Sequence, residues 1–258
     1  MLINQQEQKS VDLSERHGEW EEEVRRHREI WDRKPILRRI YGRWYRAIRD
    51  AALPGRTLEV GGGGGNLKEH WPEILSSDVV YAPWLNFQAD CLSLPFADHT
   101  FDNVVGVDIL HHLFNPDLAL REIARVVRPG GRAVFFEPYV SWFSGIVRGR
   151  FHHEKQDLSR DVIYGPDKKP EEANLAIPTR LFVRHREEFE RRFPMLKIKQ
   201  IKRTDILAYP LSRGFSGPNL LPGPMLTAID ALEPLLSPLT PWFGFKMLVV
   251  LEVLDASR

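Results

Sequence analysis

Cysteine is almost absent: Cys91 is the only one in 258 residues. That excludes a disulfide framework and a zinc site built from cysteines. A charge excess is missing as well, with 36 Lys and Arg against 35 Asp and Glu. Such a balance argues against a nucleic-acid partner, because phosphate-backbone binders gather basic residues on one face. No stretch reaches the roughly 18 uninterrupted apolar residues of a transmembrane segment. Met1–Ser10 is polar and lacks the apolar run of a secretory signal. Together these absences predict a cytoplasmic protein. What is present is a hydrophobic fraction of 43%, enough to build a core and to exclude wholesale disorder. The length suits one large domain, or one domain carrying insertions.

Along the chain, residues 15–34 are heavily charged with a thin apolar stripe (Trp20, Val24, His27, Trp31), which predicts a helix showing one narrow face. Pro35 interrupts it, and a second helix with a wider stripe follows from Ile36 to Ile48. Residues 1–55 thus read as an N-terminal helical cap, and residues 56–258 as the main domain. From Arg56 onward, short apolar strands alternate with helices and Gly/Pro turns. The strand candidates are Thr57–Val60, Ile74–Asp78, Leu85–Ala89, Phe101–Val107 and Arg132–Glu137. A helix between the last two has Asn115 at its cap, Pro116 in its first turn and Pro129–Gly130–Gly131 after it. This alternation predicts an α/β fold with a parallel sheet covered by helices. The loop around Tyr81–Ala82–Pro83 leaves little room for a helix between the second and third strands. Residues 138–179 show no periodicity and read as an insertion; a helix is expected at 180–193. Lys197–Ile201 and Ile206–Tyr209 are strand-like, residues 210–241 form a second, Pro/Leu-rich insertion, and Lys246–Val253 contains a closing strand.

Most of the chemical information lies in Leu58-Glu59-Val60 followed by five glycines, Gly61 to Gly65. A flexible linker would carry Gly and Ser on both sides, whereas this run is bounded by an apolar strand and a helix-like stretch. Glycine at such a turn lets the backbone approach a ligand closely. The dinucleotide pattern G-x-G-x-x-G fails, because its last position falls on Asn66 or Leu67. An acidic residue followed by alternate glycines fits instead: Glu59, Gly61, Gly63, Gly65. There the carboxylate can accept from an amino or ammonium group.

These residues give the chain its resemblance to class I S-adenosylmethionine-dependent methyltransferases, of the small-molecule, type 11-like branch. The stretches Asp90-Cys91-Leu92-Ser93-Leu94-Pro95-Phe96, Phe101-Asp102-Asn103-Val104-Val105, Asp108-Ile109-Leu110-His111-His112 and Arg125-Val126-Val127-Arg128-Pro129-Gly130-Gly131 also match, in order. The resemblance covers residues 56–138. It implies a Rossmann-like, mostly parallel seven-stranded sheet with helices on both faces, and S-adenosylmethionine as cofactor. It further implies that Glu59, Gly61, Gly63 and Gly65 wrap the cofactor's methionine part, and that Asp78 accepts its ribose hydroxyls. Asp90 would accept from the adenine amino group, with Cys91 and Leu92 beside the ring. Val107 and Asp108 would face the sulfonium end. An ordinary turn aspartate, a buried small thiol and a capping carboxylate are the plainer readings of Asp78, Cys91 and Asp108.

Methyl transfer needs an aligned acceptor and excluded water, and no metal. A hydroxyl or ammonium acceptor also needs a base, for which His111 and His112 are candidates beyond the fourth strand. His152–His153–Glu154 is a second grouping, more economically read as a solvated loop. Trp142, Phe143, Phe151, Phe215, Leu220, Leu221, Trp242 and Phe243 offer an apolar lining for lid-like insertions and a partly apolar small-molecule acceptor. A second small core or a homodimer contact would use the same residues. The chain is therefore expected to be a methyltransferase, with oxygen the favoured acceptor atom. The rivals are a non-catalytic cofactor-binding or interaction module and a nicotinamide-dependent oxidoreductase.

Overall fold

The computed structural model describes residues 13–151, 155–159 and 173–255. His152, His153 and Glu154 lie outside them. Seven strands form one sheet: β1 (Thr57–Val60), β2 (Leu75–Asp78), β3 (Phe87–Gln88), β4 (Phe101–Val107), β5 (Val127–Pro138), β6 (Leu196–Thr204) and β7 (Lys246–Val253). Their order is β3-β2-β1-β4-β5-β7-β6. The first five strands run parallel, and β7 is antiparallel to both β5 and β6. This is the Rossmann-like sheet expected. With β2 on one side of β1 and β4 on the other, the direction of winding reverses between β1 and β4, and the carboxyl ends of those strands define the edge where ligands bind in such sheets.

Helices cover both faces: α1 (Leu13–Arg33), α2 (Pro35–Ala51), α3 (Asn66–His70), α4 (Pro116–Val126), α5 (Trp142–Phe151), α6 (Ile177–Thr179), α7 (Arg186–Arg192), α8 (Ala208–Ser212), α9 (Gly223–Leu232) and α10 (Thr240–Phe243). α4 forms where its signals put it. The Asn115 side chain accepts from the Leu118 N–H, and Pro116 occupies the first turn, where no donor is lost. Its apolar side, with Leu120 and Ile123, packs with Phe135, Phe182 and Phe189 in one core. The opposite core gathers Trp31, Ile40, Trp44, Ile48, Phe136, Val250 and Ile229. Trp44 stacks on Phe136 with ring centres 4.7 Å apart, so α2 is one of the layers covering the sheet.

Three expectations change. Ile206–Tyr209 is not a strand. The left-handed backbone of Asp205 (φ 60°) turns the chain at the end of β6, and the Glu233 carboxylate accepts from the N–H groups of Leu207 and Ala208 at the start of α8. The insertion at 138–179 contains α5, which Ser141 opens by accepting from the Ser144 N–H. The helix expected at 180–193 is a π-turn over Arg180–Arg184 followed by α7. No helix among the described residues is long and apolar enough to cross a membrane.

Candidate active site

The glycine run leaves β1 and crosses the carboxyl edge of the sheet. Gly61, Gly63 and Gly65 have φ of 69°, 45° and 72°, conformations that any other residue would adopt only with strain. Their surroundings differ. A Cβ on Gly61 would lie 2.6 Å from Ile109 Cδ1, and one on Gly65 would lie 2.5 Å from Trp84 Cδ1. A Cβ on Gly63 would enter open space, its nearest neighbour 4.0 Å away. Gly63 therefore marks where the loop faces a groove, and Gly61 and Gly65 are needed for packing.

The next strands supply the walls. Gly62 N–H donates to the Ser77 carbonyl. The Asp78 carboxylate accepts from Gly63 N–H at 2.8 Å and from Val80 N–H at 3.2 Å. Burial raises the Asp78 pKa from its ordinary value, and the hydrogen bond from Gly63 opposes that. Ala89 N–H donates to the Asp78 carbonyl, which sets Asp90–Leu92 alongside. Asp90 is exposed, Leu92 half-buried and Cys91 buried; burial pushes the Cys91 thiol far up, so it is an apolar neighbour and no nucleophile. Gly61, Gly63, Asp78, Val107 and Asp108 all keep partial exposure along the same edge. Glu59 does not: its carboxylate lies beneath the loop, hydrogen-bonded to Ser76 Oγ, and burial lifts its pKa to about 7.

α1 lies over this edge. Arg28 donates to the Gly64 carbonyl at 2.7 Å, pairs with Glu69 at 2.6 Å and sits over the Trp84 ring. Trp84 Nε1 in turn donates to the Gly63 carbonyl. A cavity of about 290 Å³ opens between α1 and the loop after β2, lined by Glu21, Val24, Arg25 and Tyr81–Trp84. His27 packs against Phe215, and burial first, then Arg26, lowers its pKa to about 4.

At the β4 end, both histidines occupy a 3₁₀ turn, Leu110–His112. His111 is buried, and its Nδ1 lies 3.0 Å from Glu137 Oε2. Glu137 also accepts from Ile109 and Leu110 N–H, and burial raises its pKa to about 8. His112 is half-buried, with its ring centre 4.1 Å from that of His111 and an edge contact to Trp20. Lys246 Nζ donates to Asp108 Oδ1 and lies 4.9 and 4.8 Å from the ring centres of Trp44 and Tyr209. Asp108, His111 and Glu137 each bring one ligand-type atom within 4.8 Å of the others. However, Lys246 already supplies a cation to Asp108, and Glu137 is occupied by N–H donors. Glu137 and Lys246 carry no sequence signal, because each stands at the end of an apolar run and its partner is distant in the chain.

Of the proposed apolar lining, Trp142, Leu220 and Trp242 are 67%, 59% and 56% exposed, while Leu221 is buried. The three exposed side chains point outward from α5, from the loop before α9 and from α10 respectively.

Residues 58–135 match the family model described as "Methyltransferase domain". This segment is a methyltransferase domain. A demethylmenaquinone methyltransferase of Renibacterium salmoninarum is 36% identical over 113 residues, covering 37% of this chain and 47% of the relative. The O-methyltransferase resE of Aspergillus sclerotiorum is 39% identical over 61 residues, 23% of each chain. The chain thus spans less than half of the length of either relative. Two solved structures share the fold at 15% identity and a TM-score of 0.50. One is a Thermotoga maritima S-adenosylmethionine-dependent methyltransferase, covering 90% of this chain and 99% of that one. The other is the [4+2]-cyclase SpnF, covering 83% and 82%. The seven-stranded sheet is the class I methyltransferase fold, whose cofactor is S-adenosylmethionine; at its carboxyl edge a Cβ on Gly63 would meet no atom closer than 4.0 Å, and the Asp78 carboxylate stands beside it.

Proposed function

We propose that the protein is an S-adenosylmethionine-dependent methyltransferase acting on a small, partly apolar acceptor, at oxygen. The observation that carries this reading is the selective opening above Gly63, beside Asp78. Asp78 and Asp90 are suited to hold ribose hydroxyls and the adenine amino group, since each carboxylate oxygen can accept more than one hydrogen bond. When bound, the cofactor supplies an activated methyl group for in-line displacement. The chain's own work is alignment, exclusion of water and removal of the acceptor proton. α1 covers the edge and excludes water through Arg28 and Trp20. His112, the more accessible of the two imidazoles, is the base that takes the hydroxyl proton. His111, fixed at Nδ1 by Glu137, is the positioning residue that holds the His112 ring in place.

Calorimetric titration with S-adenosylhomocysteine and with NADH tests the reading. Binding of the first and not the second is expected; failure of the folded protein to bind S-adenosylhomocysteine refutes it. A second reading, a cofactor-binding protein with other chemistry, draws on the cyclase named among the fold relatives. It predicts the same binding without methyl transfer to any hydroxyl acceptor.

A further inference from the structure

Six of the twelve exposed large apolar side chains of the described residues fall in two short segments. Trp142 and Ile146 stand one turn apart on α5, at 67% and 54% exposure. Leu232, Leu235, Leu239 and Trp242, at 47%, 75%, 44% and 56%, follow one another through the turns from the end of α9 to α10. The segments meet where the Trp142 and Phe243 rings make an edge contact. They form one surface beyond the end of β5, where Pro138 pairs with Lys246 at the start of β7.

Among the described residues of α5, of 231–243 and of the adjoining end of β6, the exposed charges are basic. Within 231–243 the sole charged residue is Glu233, turned inward onto the N–H groups of Leu207 and Ala208 and toward Arg43. On α5 the exposed charge is Arg150. The neighbouring end of β6 carries exposed Lys202 and half-buried Arg203. Arg203 lies over the ring of Tyr139, whose hydroxyl donates to the Pro241 carbonyl and so ties β6 to α10.

We propose that this surface, Trp142, Ile146, Leu235, Leu239 and Trp242 rimmed by Arg150, Lys202 and Arg203, docks on an anionic lipid membrane. Tryptophan and leucine above a basic rim are the composition that partitions into the headgroup boundary. Apolar area enters the boundary, the indole rings sit at its polar level, and lysine and arginine meet the anionic leaflet. No acidic side chain of these segments is exposed to oppose that potential. A second copy is the poorer occupant. A twofold contact would set the basic rim of one copy against that of the other, with no exposed acid among the described residues of these segments to meet it.

The test is co-sedimentation of the full chain with vesicles of phosphatidylcholine alone and of phosphatidylcholine mixed with phosphatidylglycerol. Binding to the anionic vesicles, weakened by salt, is expected, with quenching of tryptophan fluorescence by brominated lipid. Leu235→Asp combined with Trp242→Asp should lower partitioning roughly tenfold or more. Arg150→Gln or Lys202→Gln should lower it roughly fivefold each, and all four substitutions are at exposed sites and should leave the far-ultraviolet spectrum unchanged. The proposal is overturned by absence of sedimentation with either vesicle, by equal binding to both, or by undiminished binding of the Asp double variant. It is equally overturned if light scattering shows a dimer that the Asp double variant dissolves while vesicles stay unbound. None of these outcomes depends on cofactor binding.

Discussion

Gly63→Ala and Gly65→Ala are the same chemical change two residues apart, and the structure assigns them different consequences. Both positions have positive φ, 45° and 72°, so an alanine at either costs about 1–2 kcal/mol of backbone strain. At Gly65 the added methyl would also lie 2.5 Å from Trp84 Cδ1. Trp84 is held by its hydrogen bond to the Gly63 carbonyl and by Arg28 above it, so it cannot yield freely, and overpacking adds about 1–3 kcal/mol. At Gly63 the methyl meets no protein atom closer than 4.0 Å, so only the strain remains. Gly65→Ala is therefore the more destabilising change, by about 1–3 kcal/mol in urea denaturation. Cofactor affinity should run the other way. The Gly63 methyl occupies the groove, and S-adenosylhomocysteine binding to folded Gly63→Ala should fall roughly tenfold or more, about 1.4 kcal/mol per factor of ten. Folded Gly63→Ala that binds S-adenosylhomocysteine with wild-type affinity would refute the placement of the cofactor above Gly63.

Three other outcomes follow from the same edge. His112→Ala should abolish methyl transfer while leaving S-adenosylhomocysteine affinity unchanged. His111→Ala, which takes the partner from Glu137 Oε2, should instead destabilise the fold by about 1–3 kcal/mol; turnover surviving in His112→Ala removes it as the base. Glu137 has its pKa raised in the fold from 4.5 to about 8. The folded state thus holds the proton that the unfolded state has released, and stability is complete below about pH 4.5 and lost as pH rises through about 8. The raised values of Glu59 and Asp205 end near 7, so the decline between about pH 7 and 8, at most about 1.4 kcal/mol per unit, belongs to Glu137. Glu137→Gln should flatten it in urea melts across that interval. Asp108→Asn keeps the left-handed backbone, which asparagine tolerates, but strands the buried Lys246 charge. A loss of about 3–5 kcal/mol is expected, partly restored by adding Lys246→Met.

What the sequence discloses is what is local. The Asn115–Pro116 start of α4 is legible because cap and first turn lie side by side in the chain. The glycine loop is legible because one strand, one turn and one helix start adjoin. Ser141 carries the same kind of signal for α5 but is easily passed over, since the helix it opens has an apolar outer side and lacks an amphipathic period. Ile206–Tyr209 reads as strand by composition; its helical fate depends on Glu233, 25 residues beyond Ala208. For the same reason the alternate-glycine pattern does not disclose which glycine faces the ligand. That depends on Trp84 and Ile109, the side chains that happen to fill the space over Gly65 and Gly61.

The ionisable side chains gathered at the sheet edge carry the functional argument further than the glycines do. A sheet selected only for stability would fill the ends of β4, β5 and β7 with apolar side chains, because a buried ion pair at best balances its desolvation. Here Asp108, Glu137 and Lys246 converge instead, with two histidines beside them. Each is satisfied by long-range contacts: Lys246 to Asp108 across 138 residues, Glu137 to His111 across 26. The Lys246–Asp108 pair is neutral as a unit, so it adds little net field at the end of β4, where we propose that the cationic sulfonium lies, whereas Lys246 alone would repel it. Asp108→Asn thus has two consequences from one cause. The charge that destabilises the fold also opposes a cationic ligand, so the variant should lose affinity for S-adenosylmethionine more than for uncharged S-adenosylhomocysteine. A structural role for Asp108 alone would weaken both ligands equally.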